Sequence, residues 1–286
     1  MDKLEIYKTK LNTSVKKLKY LHKIASMLFL QMYGGSNLVK YSDTKQIYEN
    51  YKHLNKYLLG QFRNLIKSTN GKYFIILMGS PGVGKTQTRR VAIKYIAKLE
   101  NNDDYDNINS SFIDINTDNY VYDLDLNNKG EIGRDKFNKL KDSQDWQKKS
   151  TETYFNMRKH INPVGEIVMS LGSYVGSNIF FETIGTNKEY LIQLVNFANY
   201  YEYKPIIIYT EVKNEKEHIN RVISRANNEG RFPDIEYVKN TRITTKKVFN
   251  SLKKSKINVT LMKYKNNKKI DDYDFDLDKF TRVYKN

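Results

Sequence analysis

The chain of 286 residues contains no cysteine. That excludes a disulfide frame, a thiolate zinc site and a thiol nucleophile. There is one tryptophan, Trp146, expected to be a local packing anchor. His22 and His53 stand without the company that a metal site needs. Long apolar runs are missing too. Residues 25–33 are too short to span a bilayer, and the N-terminus carries no apolar signal core. No internal repeat is present. These absences predict a soluble, intracellular chain without a membrane span, cytoplasmic, or in the host cytoplasm if the source is a virus. Acidic residues are in deficit: 32 Asp and Glu face 49 Lys and Arg, for a net charge of +17. Such an excess favours an anionic partner, whether nucleotide phosphates, nucleic acid or an acidic surface. Asn, Lys, Ile and Tyr are abundant, as an AT-biased bacterial or large-virus genome produces.

What is there is organised around Gly79-Ser80-Pro81-Gly82-Val83-Gly84-Lys85-Thr86. It fits G-x-x-x-x-G-K-[ST], the phosphate-binding P-loop, without mismatch. Tyr73-Phe74-Ile75-Ile76-Leu77-Met78 before it predicts a buried strand. Val91, Ala92, Tyr95, Ile96 and Leu99 after it recur at helical spacing. Strand, glycine loop and helix together let backbone amides curl around phosphate oxygens at a helix N-terminus. Lys85 is then expected on the β- and γ-phosphates of ATP or GTP, and the Thr86 hydroxyl on Mg²⁺.

Three segments follow from the pattern. Residues 1–70 read as a helical extension with two amphipathic stripes, most simply packed on the core. Residues 71–265 read as an α/β P-loop NTPase domain, with a mostly parallel sheet flanked by helices. Strands are expected at 72–78, 112–115, 179–181, 205–209 and 257–262, and helices near 86–99, 150–171, 188–202 and 215–228. Residues 101–109 are expected to form an exposed loop. Residues 122–149 read as a mobile insertion or a solvated loop. In the tail, 266–286, Tyr273, Phe275 and Leu277 alternate with acids, which predicts an edge strand.

The chemistry beyond the loop rests on acids and arginines. Asp118 lies just past the second strand, at the carboxyl end where α/β sheets bind ligands. A carboxylate there can orient and deprotonate a hydroxyl; Asp114, inside the strand, is the competitor. Glu182 ends the third strand, suited to reach Mg²⁺ or an acceptor hydroxyl. Arg221 and Arg225 lie one helical turn apart, Gly230 ends their helix, and Arg231 follows. Guanidinium groups at such an end are suited to close over a triphosphate as a lid.

These residues resemble the zeta-toxin family of P-loop kinases. The matching pieces are the P-loop, Ile115-Asn-Thr-Asp118, Phe180-Phe-Glu-Thr-Ile-Gly-Thr186 and residues 225–231, in the family's order. The resemblance covers roughly residues 72 to 265. It implies an ATP- or GTP-dependent kinase, using Mg²⁺, that phosphorylates a hydroxyl of a small molecule or nucleotide sugar. Carried across, Lys85 and Thr86 hold phosphates and metal, and Asp118 is the base. Glu182 and the loop to Thr186 meet the acceptor, and Arg225 and Arg231 are the lid arginines. The family often carries a threonine and an arginine where this chain has Ile184 and Thr186. The alternatives are a polynucleotide 5′-kinase, which the charge favours, an NTP-driven nucleic-acid remodelling ATPase, and a nucleotide-binding module without turnover.

Overall fold

The computed structural model describes residues 71–123, 133–231, 234–266 and 281–285. The helical extension expected over 1–70, residues 124–132 of the expected insertion and residues 267–280 of the tail lie outside them.

Strand β1 (Tyr73–Met78) is buried along its whole length. A strand with no polar face must sit in the middle of a sheet covered on both sides, and it does. The sheet order is β2 (Phe112–Ile115), β3 (Asn178–Thr183), β1, β4 (Lys204–Glu211), β5 (Thr260–Lys265), β6 (Thr281–Lys285). The first five are parallel, and β6 runs antiparallel along β5. Successive side chains of a strand point to opposite faces, so β1 divides its residues between two cores. Phe74, Ile76 and Met78 join one; Tyr73, Ile75 and Leu77 join the other.

The second core is covered by α1 (Lys85–Glu100), through Val91, Ala92 and Ile96, and by α2 (Tyr105–Ser110), through Ile108. The first core is larger. It receives Tyr120 and Val121 of α3 (Thr117–Asp123), Phe137 of α4 (Gly133–Leu140) and Val168 of α5 (Trp146–Val175). It also takes Leu191 and Leu194 of α6 (Lys188–Tyr200) and Phe249 and Leu252 of α8 (Ile235–Leu252). Phe74 anchors it, edge-on to Phe197 and Tyr203. Between β4 and α8 runs α7 (Glu215–Glu229), which buries only His218, Val222 and Ala226.

Several sequence expectations need correction. The loop expected over 101–109 contains α2, whose N-terminus is capped by the Asp104 side chain. The described part of the expected insertion is partly helical: α4 is pinned by the fully buried Phe137, and α5 starts at Trp146, not near 150. One apolar anchor per segment was too sparse a pattern to register as helix. Helix α8 was not anticipated, because its buried face mixes Thr241 and Thr245 with Val238 and Val248, which dilutes the apolar period. The last core strand is Thr260–Lys265, shifted from 257–262; an edge strand is formed by Thr281–Lys285, and the strand expected around 273–277 lies outside the described residues.

Candidate functional site

The P-loop turns from the end of β1 into α1 with Gly82 at φ 81° and Gly84 at φ 87°. These left-handed angles disfavour any side chain. Space forbids one as well: a Cβ on Gly82 would lie 2.4 Å from Val222, and one on Gly84 2.2 Å from Asn266. Helices α2, α6, α7 and α8 are capped by their own Asp or Asn side chains. Helix α1 starts at Gly84 with no side-chain cap, so its first amides are left for an anion.

The loop's other residues are held by side chains from distant parts of the chain, one of which, Asn266, also lines the larger cleft. Ser80 is buried and donates to the Val238 carbonyl at 3.1 Å. His218 Nε2 lies 2.6 Å from the Pro81 carbonyl oxygen. Asn266 Nδ2 donates to the Val83 carbonyl at 2.9 Å. Lys85 turns its ammonium onto the Gly79 carbonyl, at 3.0 Å, and toward Glu182 Oε1, at 3.6 Å. Strand β3 is the direct neighbour of β1, which brings Glu182 to this lysine.

Across the cleft stands Asp118, in the first turn of α3. Asn116 sets its place. The Asn116 Oδ1 accepts from the Asp118 amide at 3.0 Å, and its Nδ2 donates to Glu182 Oε2 at 2.9 Å. The carboxylate is surrounded by donors. The Tyr154 hydroxyl donates to Oδ1 at 2.6 Å, Arg158 pairs with the same oxygen, and Arg231 lies 3.1 Å from Oδ2. Burial would raise the pKa of Asp118, but the charges of Arg231 and Arg158 and the Tyr154 hydrogen bond outweigh it. The group is therefore held well below the usual carboxylate range and is ionised. Burial and the Asp118 charge push the Tyr154 hydroxyl up, so it stays a donor. Arg231 is 8% exposed, with its guanidinium 4.1 Å from the centre of the Tyr154 ring. Burial opposes its charge, yet Asp118 more than compensates and raises its pKa.

Two recesses result. A cleft of about 830 Å³ is lined by Gly82, Gly84, Lys85, Thr86, Glu182, Arg221 and Arg225. A narrower recess of about 50 Å³ joins Lys85, Glu182, Asp118, Arg158, Arg225 and Arg231, with Tyr154, Phe155 and Tyr237 as aromatic walls. Lys85, Asp118, Glu182, Arg225 and Arg231, five residues expected from sequence, thus line one recess. Thr86 is exposed at the start of α1, and Gly79 and Val83 are buried supports. Thr186 is exposed and lines neither recess; Thr183 and Ile184 of the same loop line the narrow one. Asp114, the competitor inside the strand, lines the larger cleft. It pairs with Arg89, which stacks over Phe180 at 4.8 Å.

The lid expectation also changes. Helix α7 packs on the P-loop through His218 and Val222, and Gly230 ends it at φ 73°. Beyond it Arg231 is locked on Asp118, while Arg225 is half-exposed and paired with Glu229 at 2.8 Å. Sequence reasoning missed Tyr154 and Arg158. Their only signal was a Tyr-Arg pair at i, i+4 in a long helix. It also gave Asn116 no role, although that residue lies inside the Ile-Asn-Thr-Asp stretch.

Fold and site together define a P-loop α/β domain with a carboxylate–arginine cluster facing its phosphate loop. No family model matches the chain. It is 29% identical over 251 residues to the uncharacterized protein L872 of Acanthamoeba polyphaga mimivirus, an alignment covering 80% of this chain and 69% of that protein. A solved chain from the PezAT chromosomal toxin–antitoxin system of Streptococcus pneumoniae is 15% identical. The match covers 78% of this chain and 77% of that one, with a TM-score of 0.49. Those values are too low to bear on function. Among the described residues, no helix is long and apolar enough to cross a membrane.

Proposed function

We propose that the protein is a P-loop kinase of zeta-toxin type, transferring the γ-phosphoryl group of ATP or GTP to a hydroxyl of a small molecule or nucleotide sugar. The observation that carries this is the facing pair of Lys85 and Asp118 across one recess, with Glu182, Arg225 and Arg231 around them. The triphosphate lies along the P-loop amides in the larger cleft, and Lys85 exchanges the Gly79 carbonyl for phosphate oxygens. The acceptor enters the narrow recess, where Glu182, Thr183 and Ile184 meet it.

Asp118 accepts the hydrogen bond of the acceptor hydroxyl and orients it in line with the γ-phosphorus. The bond from the acceptor oxygen to phosphorus forms as the bond to the β,γ-bridging oxygen breaks. The proton passes to Asp118, and the nucleoside diphosphate leaves. A strongly acidic carboxylate suits a loose transition state, in which the proton moves late. Arg225 and Arg231 balance charge on the transferring group. Thr86 and Glu182 line the same cleft and would supply hard oxygen donors of the kind Mg²⁺ prefers. When bound, the ion neutralises phosphate charge.

Incubation with labelled ATP or GTP and a panel of UDP-amino sugars, nucleosides, and 5′-hydroxyl DNA and RNA tests the proposal. Label in a small acceptor, lost in Asp118→Asn, is expected. The net charge of +17 favours a second reading, a polynucleotide 5′-kinase, which label in an oligonucleotide would establish. Nucleic-acid-stimulated hydrolysis without label transfer would point instead to a remodelling ATPase.

A further inference from the structure

We infer that His218 and Asn266 are positioning residues of the phosphate loop, each holding one loop carbonyl so that the amide of the same peptide unit is turned away from its holder. The inference deepens the nucleotide-binding reading above and rests on it. Peptide units are planar, with C=O and N–H pointing opposite ways in the trans form, and no cis bond occurs among the described residues. Where a carbonyl is tied down, the amide of the same unit is aimed the other way. His218 ties the Pro81 carbonyl at 2.6 Å, which turns the Gly82 N–H away from α7. Asn266 ties the Val83 carbonyl at 2.9 Å, which turns the Gly84 N–H away from the end of β5. Gly82 and Gly84 both line the larger cleft.

Both holders are buried on held backbone, and their second polar atoms, His218 Nδ1 and Asn266 Oδ1, have no hydrogen-bond partner among the described residues. His218 is fully buried and Asn266 is 3% exposed. The His218 amide donates to the Asn214 carbonyl at 3.0 Å, and the Asn266 amide to the Glu211 carbonyl at 2.8 Å. Flipping either loop peptide would strand a buried side-chain donor, which costs its full desolvation. The amides are therefore aimed before any anion arrives, and none of the binding energy is spent on orienting them. The hydrogen bond to Pro81 assigns His218 the tautomer protonated at Nε2. Burial and the nearby cations Arg242, Arg221 and Lys85 lower its pKa, against the Pro81 hydrogen bond, which raises it.

The test is binding of N-methylanthraniloyl-ATP and -GTP with Mg²⁺ to the full chain, with a thermal melt of each nucleotide-free variant. His218→Leu and Asn266→Leu each remove one donor and are expected to raise Kd by about tenfold. His218→Gln, which keeps an N–H at similar reach, is expected to recover most of the affinity. Folded His218→Leu and Asn266→Leu proteins that bind as tightly as wild type would overturn the inference. If His218→Leu does not fold, Asn266→Leu decides by the same criterion. Wild type and Lys85→Ala binding equally poorly would fail the nucleotide reading itself, and this inference with it.

Discussion

The two banks of the cleft are made of different material. The phosphate bank is one contiguous stretch, residues 79–86, acting through backbone amides and a single lysine. Its support comes from neutral buried side chains: Ser80, His218 and Asn266. The opposite bank is a cluster of full charges. Asp118 on α3, Tyr154 and Arg158 on α5, and Arg231 after α7 meet only in three dimensions. Backbone amides bind an anion at no net charge, and neutral side chains suffice to aim them. A half-buried carboxylate needs its charge balanced, and balance takes partners from elsewhere in the chain.

If the banks divide the work as proposed, losing the phosphate bank hurts most. Lys85→Ala should reduce turnover by about 10³-fold, with nucleotide affinity falling too, read by steady-state kinetics and direct binding. Asp118→Asn should keep nucleotide binding and lower phosphoryl transfer by about 10² or more. Equal losses of affinity in both variants would erase the distinction between the banks.

The next effect is on stability. Arg231→Ala leaves Asp118 with less compensation, and Asp118→Asn leaves a buried guanidinium unpaired. Each should cost about 3 kcal/mol in urea unfolding. The double variant should cost clearly less than the two added, because the second change relieves the imbalance left by the first. Strict additivity would mean that the pair does not act as a unit.

Acid titration separates the banks by pH. The folded pKa of Asp118 lies below its ordinary value of 3.8, so the unfolded chain takes up this proton first. The stability it contributes is complete above about pH 4 and is lost as pH falls through the folded value. On the phosphate bank, burial, with Arg242, Arg221 and Lys85 nearby, lowers His218 from 6.5 despite its bond to Pro81. Folded His218 resists protonation while the unfolded chain accepts it, so stability declines as pH drops below about 6.5. The higher limb should vanish in His218→Gln and the lower one in Asp118→Asn, both read as melting temperature against pH. The smallest effect is expected at Thr186. It is exposed and away from both recesses, so Thr186→Ala should shift stability by less than about 0.5 kcal/mol. A large rise in acceptor KM would show that the loop moves onto the acceptor.

Legibility in the sequence followed the same division. The buried β1 run, the glycine spacing and Lys85 carry their meaning within a dozen neighbours. Asp118 and Glu182 could be picked out because each sits at the end of a short apolar strand. Arg231 was found, but as part of a lid; that it is buried against Asp118 depends on α4 and α5 packing beneath Gly230. Tyr154 and Arg158 were invisible because a long polar helix offers many such pairs and nothing local distinguishes this one. Thr241, buried next to Ser80, was hidden for the opposite reason: its hydroxyl made a core-facing helix look polar.

From its residues alone, this chain specifies a parallel sheet and an anion cradle at the start of α1. Alternating burial and glycine's access to left-handed angles are properties of adjacent residues. Which side chains balance Asp118, and which ones hold the loop's carbonyls, was decided only when β2, β3, β4 and β5 aligned their carboxyl ends. Charge compensation and buried hydrogen bonds depend on distance in space, and separation along the chain does not encode it.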